Sequence, residues 1–550
     1  MPRLLYRMML VDLLRVIGLT AGVLVTVIAF GATIKPLTND RLLEASQTFK
    51  YLLAVIVPML QFALPFAAGF GATLALHRMT ADNEIQAMAV SGLSYRRIIV
   101  PIIALGLALL AFMIVLTQEV IPRFWSLIER MIAEDMTKIF QASIRNGEPF
   151  KLGDMQIFAD EMFVEHSPLG AEGPETRMRL LRVAAAELDG DGRVITDVTA
   201  NNAVVDIYRR EGATILKLAL YDTVAYKSTT GDLQRFEAIT PSRAIIMPGV
   251  LRDEPKAKSR SELLALRRNP DDFAQVIEAR QNLAETLRET EARQALDIQL
   301  RDQGRAELVA LPPATEAGAA VLRPRTYVVE ASGLAQGQFT TRRGERIRII
   351  QSEGKNVLRE FITDSASLTP SPGSTLGMPT FDLVLGHHEV HDLRPGIGGV
   401  NEREQLSVPG LAVAGVSTDD LLQLSSPQLL DRAASFGRSE GISLRSGRLR
   451  SEIIDLQREI SARLLNRYAM SVTAPLLLLL GALLAMWLKG SLPLTIYMLA
   501  FLPAVLDLIA ISAGEQMMRD GRTFAPVVMW SGNAMMLGII VLAYLRLSRH

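Results

Sequence analysis

The 550-residue chain contains no cysteine, no excess of either charge and no convincing internal repeat. Without cysteine it has no disulfide, cysteine nucleophile or thiolate metal site, so a large domain must be held together by its core. Because 58 basic residues balance 58 acidic residues, the charge gives no reason to expect a nucleic-acid partner. The G-x-x-x-x-G-K-[ST] phosphate loop is also missing. If ATP drives this protein, another chain must hydrolyse it.

Six long apolar segments, three near each end, indicate membrane-spanning helices. An α-helix rises about 1.5 Å per residue and needs roughly 20 residues to cross the hydrocarbon core. The six segments are residues 16–34, 51–76, 98–118, 468–488, 490–514 and 523–545. We therefore predict an α+β membrane protein with a 3+3 arrangement of spans around a large polar region.

The basic residues of the short loops predict the orientation, since Lys and Arg are retained on the cytoplasmic side. With the N-terminus inside, nine of these residues are cytoplasmic: Arg3, Arg7, Arg15, Arg78, Arg96, Arg97, Lys489, Arg546 and Arg549. The opposite loops contain five: Lys35, Arg41, Lys50, Arg519 and Arg522. Both termini are therefore predicted to be cytoplasmic and the large domain to lie on the other side.

The polar region changes pattern several times along the chain. Helical spacing over 122–146 is followed by strand-like runs at 156–159, 203–208 and 215–220, which indicate a sandwich or jelly roll. Residues 260–310 read as one long helix or a hairpin, with Glu291 interrupting a weak apolar stripe of Phe273, Val276, Leu283 and Leu287. Strand signals return from 325 to about 393, and residues 419–466 are again helical.

These shifts predict the domain boundaries. Residues 1–121 hold spans one to three, and 467–550 hold spans four to six. Between them we expect a β-rich, jelly-roll-like domain at 122–255, a helical insertion at 256–312, a second β-rich segment at 313–418 and a helical connection at 419–466.

The loop between spans two and three predicts a short helix at about 80–93 with both ends marked. Thr80 or Asp82 can accept from the first free N–H groups, Glu84 complements the positive end of the dipole, and Gly92 suits a left-handed stop. Ile85, Met88 and Ala89 share one face. We interpret this helix as a rigid knob for a soluble partner, although Glu84 could also serve only as a cap.

Several short motifs resemble one family, the LptF/LptG (YjgP/YjgQ) permeases of lipopolysaccharide export. The resemblance covers about 1–250 and 420–550 and is most specific in the loop helix. Its motifs are Leu64-Pro65-Phe66, Asp82-Asn83-Glu84-Ile85, Ala87, Ser91-Gly92-Leu93-Ser94, Pro122, Arg467, Pro475, Gly521, Pro526, Trp530 and Asn533.

The resemblance implies a permease subunit of an inner-membrane ABC transporter, without catalytic residues or cofactor of its own. It implies a second permease of the same family, a cytoplasmic ATPase dimer, and a periplasmic jelly roll that passes lipopolysaccharide or a related glycolipid to a periplasmic acceptor. The ATPase-coupling residues would be Asp82, Asn83, Glu84, Ile85, Met88 and Gly92. Residues 255–417 depart from the family pattern.

Five polar residues near the predicted outer face are candidates for lipid binding: Lys35, Arg41, Asp507, Arg519 and Arg522. Arg and Lys bind phosphate through charge-assisted hydrogen bonds, but snorkelling at the interface explains them equally well. Asp507 interrupts an apolar span, which favours either an interhelical hydrogen bond or a place in the lipid cavity.

The run His387-His388-Glu389-Val390-His391 leaves a different possibility open. On a strand His387, Glu389 and His391 share a face that could hold zinc, although the spacing is not H-E-x-x-H and an ordinary strand explains it better. A membrane-bound hydrolase is therefore one alternative. A membrane-anchored scaffold or sensor without transport activity is the other.

Overall fold

The computed structural model describes residues 2–38, 45–125, 127, 150–152, 155–166, 176–188, 194–210, 213–227, 232–239, 245–246, 255–310, 325–342, 345–354, 356–370, 379–394, 399–414, 421, 424–437, 439–488 and 490–548. The predicted helix at 122–146 lies largely outside them. Two compact units are present. The membrane unit comprises 1–135, 253–270 and 453–550, and the strand unit comprises 136–252 and 271–452.

Ten α-helices are described, in chain order: α1 Pro2–Thr38, α2 Ala45–Ala81, α3 Glu84–Val90, α4 Tyr95–Val115, α5 Arg260–Arg268, α6 Ala274–Gln303, α7 Ser426–Ser435, α8 Glu440–Trp487, α9 Pro493–Arg519 and α10 Ala525–Ser548. A π-helical turn, Leu116–Val120, continues α4.

Six helices in the described ranges are long and apolar enough to cross a membrane, and each overlaps a predicted span. They are Tyr6–Ile28, Val55–Ala81, Tyr95–Trp125, Glu440–Trp487, Pro493–Arg519 and Ala525–Ser548. The chain is therefore a multi-pass membrane protein.

Small residues allow these helices to approach closely. A Cβ built on Gly481 would lie 2.5 Å from the carbonyl oxygen of Gly69, and one on Gly69 would lie 2.5 Å from Cγ of Leu477. Helices α2 and α8 therefore touch where only glycine fits, which is typical of membrane helix interfaces.

Residues 255–268 also pack on the membrane unit. A 3-10 turn, Pro255–Ala257, precedes α5, which starts with a capping box: the Glu262 N–H donates to Ser259 Oγ at 3.4 Å, and the Ser259 N–H donates to Glu262 Oε2 at 2.6 Å. The buried guanidinium of Arg467 donates to the carbonyl oxygens of Lys256 at 3.3 Å and Lys258 at 2.8 Å. This hydrogen bonding fixes the segment to α8.

The strand unit contains a seven-stranded antiparallel sheet in which β1 to β6 pair in sequence order and β7 pairs with β5. This order is a meander, simpler than the two Greek keys of a jelly roll. The strands are β1 Phe150–Leu152, β2 Met155–His166, β3 Thr176–Leu188, β4 Val194–Arg210, β5 Ala213–Lys227, β6 Asp232–Ile239 and β7 Ile245–Ile246. The predicted strands at 156–159, 203–208 and 215–220 are confirmed.

Two non-glycine residues with positive φ bend this first sheet. Arg182 and Asp222 both have φ of +50° and interrupt the regular pairing of β3 and β5. Such irregularities increase local curvature in antiparallel sheets.

An eleven-stranded antiparallel sheet follows, in the order β10-β11-β14-β15-β18-β8-β9-β12-β13-β16-β17. Its strands are β8 Arg305–Ala310, β9 Arg325–Glu330, β10 Gly333–Ala335, β11 Gln338–Thr340, β12 Ile347–Glu353, β13 Asn356–Thr363, β14 Ala366–Pro370, β15 Thr380–Leu385, β16 His388–Asp392, β17 Gly399–Arg403 and β18 Leu406–Val413. Ala292, Leu296 and Leu300 of α6 join the buried core on one face of this sheet.

The weak apolar stripe of Phe273, Val276, Leu283 and Leu287 is buried. Glu291, which interrupts it, accepts hydrogen bonds from Arg432 of α7 at 2.9 and 3.0 Å. The helix ends earlier than the sequence suggested, because Gly304 adopts φ of +70° and β8 starts at once.

Candidate functional site

Helix α3 lies directly after α2, and both of its ends are defined by the backbone. Asn83 has φ of +58° and accepts at its carbonyl oxygen from the Ala87 N–H at 2.8 Å. Gly92 has φ of +86°, and the Leu93 N–H donates to the Met88 carbonyl oxygen at 3.1 Å. The predicted left-handed stop at Gly92 is therefore confirmed.

Thr80 does not cap this helix. Its hydroxyl donates to the carbonyl oxygen of Leu76 at 2.6 Å, inside the last turns of α2. The prediction of a Thr80 cap is wrong because α2 continues to Ala81, which keeps Thr80 in the preceding helix.

The two faces of α3 differ sharply. Ile85 is 3% exposed within the membrane unit's core, and Met88 packs partly buried against the same core. Asp82, Asn83 and Glu84 are exposed. The apolar residues therefore anchor α3 to its own unit, whereas the acidic and amide groups face outward.

A large apolar side chain is exposed on α3 among its described side chains: Val90 is 86% exposed. A basic partner surface with a small apolar contact would complement this outward set. The sequence analysis assigned Ile85 and Met88 to the expected ATPase contact and did not consider Val90, since periodicity alone does not say which side of a short helix is covered.

The end of α2 that leads into α3 is tied to α1. Arg78 Nη2 lies 2.9 Å from Asp12 Oδ2 in an exposed ion pair. Farther along α2, a Cβ on Gly71 would lie 2.6 Å from the Ile17 side chain of α1. This close packing gives α2 little freedom to move independently of α1.

Asp507 lies in the interior of the helix bundle. It is fully buried and accepts a hydrogen bond at Oδ2 from the Thr473 hydroxyl at 2.6 Å. Its Oδ1 has no hydrogen-bond partner among the residues that the structure describes. The interhelical hydrogen bond between α8 and α9 is one of the two roles considered for this residue.

Glu515 and Arg519 form a network at the end of α9. Glu515 Oε1 lies 2.9 Å from Arg463 Nη1 and 2.8 Å from Arg519 Nη2, and Asn466 also donates to this carboxylate. Glu459 lies 3.8 Å from Arg519. Arg519 is therefore already paired with protein carboxylates.

A family model for the lipopolysaccharide export system permease LptF/LptG matches residues 7–278. The chain belongs to this permease family. No curated protein matches the chain. The matched residues run from the first turns of α1 through α5 and the first sheet to the start of α6, whereas the second sheet and helices α7 to α10 lie beyond them.

The five lipid-binding candidates of this permease are not equally placed. Arg522 is exposed, and Arg519 lies one turn before it in the network described above. Asp507 is twelve residues before Arg519, or about 18 Å along α9, so the two residues lie at different levels of the helix. Lys35 is in α1 with a side chain outside those described, and Arg41 lies outside the described residues.

The histidine cluster separates in the structure. His388 is fully buried and contacts the Gly386 carbonyl oxygen through Nδ1 at 2.7 Å, whereas His391 lies beside Glu389 on the other face of β16. Arg346 donates to Glu389 at 2.7 Å, and this bond lowers the pKa of Glu389. No group of three potential metal ligands occurs among the described residues.

Sequence reasoning missed the partners of the buried polar groups. Thr473, Arg463 and Asn466 supply the donors for Asp507 and Glu515 from the neighbouring helix. The sequence did contain a signal for the partner of Asp507. A carboxylate in an apolar span requires a hydrogen-bond donor, and hydroxyl residues in the adjacent span are the nearest source.

Proposed function

We propose that the chain is the permease subunit of an ABC transporter that extracts lipopolysaccharide or a related glycolipid from the inner membrane. A separate cytoplasmic ATPase dimer supplies the energy, and a second permease of the same family, a paralogue or another copy, completes the membrane part. The first sheet receives the lipid in the periplasm and passes it to a lipid-accepting protein.

The outward face of α3 is the observation that carries this proposal. Exposed Asp82 and Asn83 immediately precede α3 and exposed Glu84 begins it, whereas the other side of the helix is buried in the membrane unit. A carboxylate there can pair with a basic residue of the ATPase through charge-assisted hydrogen bonds. Because Ile85 and Met88 anchor α3, a displacement of α3 would be transmitted to the helices packed around it.

This role fixes the proposed orientation. Helix α3 then lies in the cytoplasm, in agreement with Arg78, Arg96 and Arg97 in the same loop. Both termini lie on that side, and the strand unit lies in the periplasm.

The first sheet suits a lipid acceptor because it exposes large apolar side chains. Phe163 is 52% exposed, Tyr226 is 43% exposed and Tyr221 is 38% exposed. Large exposed apolar groups are common at binding surfaces. Lys35, Arg41, Arg519 and Arg522 remain proposed contacts for the anionic head of the lipid on its way there.

The decisive experiment reverses the charge of Glu84. In Glu84→Arg the new positive charge would repel a basic surface of the ATPase. We therefore expect roughly a tenfold or greater loss of the co-purified ATPase in mild detergent. Glu404→Arg makes the same charge change at an exposed position of the strand unit and should retain the ATPase.

Two results decide between the hypotheses. Mass spectrometry of the purified wild-type complex should find a nucleotide-binding protein and an acylated, phosphorylated saccharide. Unchanged ATPase association in Glu84→Arg, with normal elution of the folded protein, would favour the membrane-anchored scaffold or sensor and would refute the coupling role of α3.

A further inference from the structure

Helix α5 is a nine-residue amphipathic helix fixed to the membrane unit. Leu263 is fully buried and Leu266 is 6% exposed, so one side of the helix is covered by protein. The hydrogen bonds from Arg467 to the preceding turn hold the start of the segment in place. The helix therefore has a defined position relative to α4 and α8.

Aromatic contacts indicate the level of α5 in the membrane. The Lys256 Nζ atom lies 5.4 Å from the centre of the Trp125 ring, and the Arg260 guanidinium carbon lies 6.0 Å from the centre of the Tyr468 ring. Trp125 is the last residue of the third candidate span. Because Trp and Tyr concentrate at the membrane–water boundary, α5 lies at the level of the lipid headgroups.

The exposed side of α5 is basic. Arg260 and Arg267 are two turns apart on one side of the helix, and Arg268 lies next to them. All three are exposed. Arg267 and Arg268 have no hydrogen-bond or ion-pair partner anywhere in the described ranges.

The one acidic residue of α5 does not neutralise this surface. Burial favours a higher pKa for Glu262, but its hydrogen bonds with Ser259 and the nearby positive charges outweigh that effect and lower the pKa. Its carboxylate is held by the cap at the start of the helix, whereas Arg267 and Arg268 are at the other end.

We propose that α5 binds the phosphate of an anionic phospholipid in the surrounding membrane through Arg260, Arg267 and Arg268. The guanidinium group is a planar fork that matches two phosphate oxygens, and basic residues at the headgroup level attract anionic lipids. This surface is separate from α3, and its lipid preference does not depend on which cargo is transported.

A purely structural role of Arg267 and Arg268 would give a different result. Arg267 and Arg268 also complement the negative end of the α5 dipole, which would stabilise the helix without any preference for a lipid. A measurement of lipid selectivity therefore separates the two roles, whereas a measurement of stability does not.

Trp125 provides a local probe for this selectivity. In a Trp487→Phe, Trp530→Phe background it is the only tryptophan left. The protein is reconstituted into phosphatidylcholine bilayers that contain equal fractions of brominated phosphatidylglycerol or brominated phosphatidylcholine. We expect stronger quenching by the phosphatidylglycerol, with an apparent preference of roughly threefold or more.

The variant Arg267→Gln, Arg268→Gln should lose this preference. Arg305→Gln, Arg325→Gln removes the same charge from exposed positions in the strand unit and should keep it. Native mass spectrometry of the protein with all three tryptophans, released from bilayers of both lipids, should show the same ranking. Equal quenching by the two lipids, or a preference that survives Arg267→Gln, Arg268→Gln, would overturn the proposal.

Discussion

Asp507 and Glu515 are two carboxylates on one helix, eight residues or about 12 Å apart along α9, and their surroundings differ. Asp507 is fully buried and receives a single hydrogen bond from the residues that the structure describes, donated by Thr473. The Glu515 side chain is 14% exposed and is surrounded by two guanidinium groups and an amide. The surroundings of Asp507 are set by tight packing, whereas those of Glu515 are set by the balance of opposite charges.

The neighbours of each carboxylate explain this difference. Helix α10 contributes Gly532 beside Asp507, and a Cβ at that position would lie 2.4 Å from both Cα and Oδ1 of Asp507. Helix α8 contributes Arg463 beside Glu515, so that the attraction of opposite charges offsets the loss of solvent. Stability should therefore be most sensitive to added volume near Asp507 and to loss of charge near Glu515.

The largest effect is expected for Gly532→Leu. The new side chain would overlap the backbone of α9, which cannot shift without separating α9 from α10, so we expect a loss of more than about 3 kcal/mol. Thermal unfolding in detergent, followed by size-exclusion elution, measures this loss.

Gly538→Leu is the matched control on α10. Nothing lies within 4 Å of a Cβ built on Gly538, so its melting temperature should stay close to that of the wild type. Equal melting temperatures for Gly532→Leu and Gly538→Leu would contradict the close contact between α9 and α10.

A smaller effect is expected for Glu515→Gln. The amide keeps the size of the side chain but leaves Arg463 and Arg519 without their nearest anion, because Glu459 is 3.8 Å from each guanidinium. Removing one partner of a largely buried ion pair should cost about 2 kcal/mol, less than for a fully buried pair. The melting temperature measured at low and high salt reports this loss.

Glu452→Gln serves as the comparison for this prediction. Glu452 forms one ion pair, 3.5 Å long, with the exposed Arg448 four residues before it, and such pairs contribute about 0.5 kcal/mol or less. If Glu515→Gln were no more destabilising than Glu452→Gln, the network around Glu515 would have no structural role.

Local features of this fold could be predicted from the sequence. The spans follow from apolar length, the stop of α3 from Gly92, and the strands of the first sheet from alternation around Gln156, Ala203 and Ile215. Each depends on a few neighbouring residues, whose preferences are expressed whatever the rest of the chain does.

Features that depend on distant residues could not be predicted. The eleven-stranded order pairs β18 with β8 across about 100 residues, and no short pattern encodes that register. Likewise, the burial of Ile85 depends on α1, α2 and α4, and the partner of Glu291 is Arg432, in another helix. The ATPase-coupling and lipid-binding roles remain proposals.

The smallest effect is expected for Asp507→Asn, and it tests the comparison most directly. In the wild type the Thr473 hydroxyl has one hydrogen and two nearby acceptors, Asp507 Oδ2 at 2.6 Å and the Ala469 carbonyl oxygen at 3.2 Å. The amide introduced by Asp507→Asn can donate to that hydroxyl and leave its hydrogen to Ala469, so the stability should change by no more than about 1 kcal/mol.

Asp507→Leu has neither a donor nor an acceptor at this position and should melt at a lower temperature. An unpaired charge in a dry helix bundle is costly, so a charged Asp507 would need a positive partner. A large loss of stability in Asp507→Asn would therefore mean that such a partner faces Asp507. If Asp507→Asn instead melted like the wild type but abolished lipid export, the wild-type carboxylate would act in transport rather than in packing.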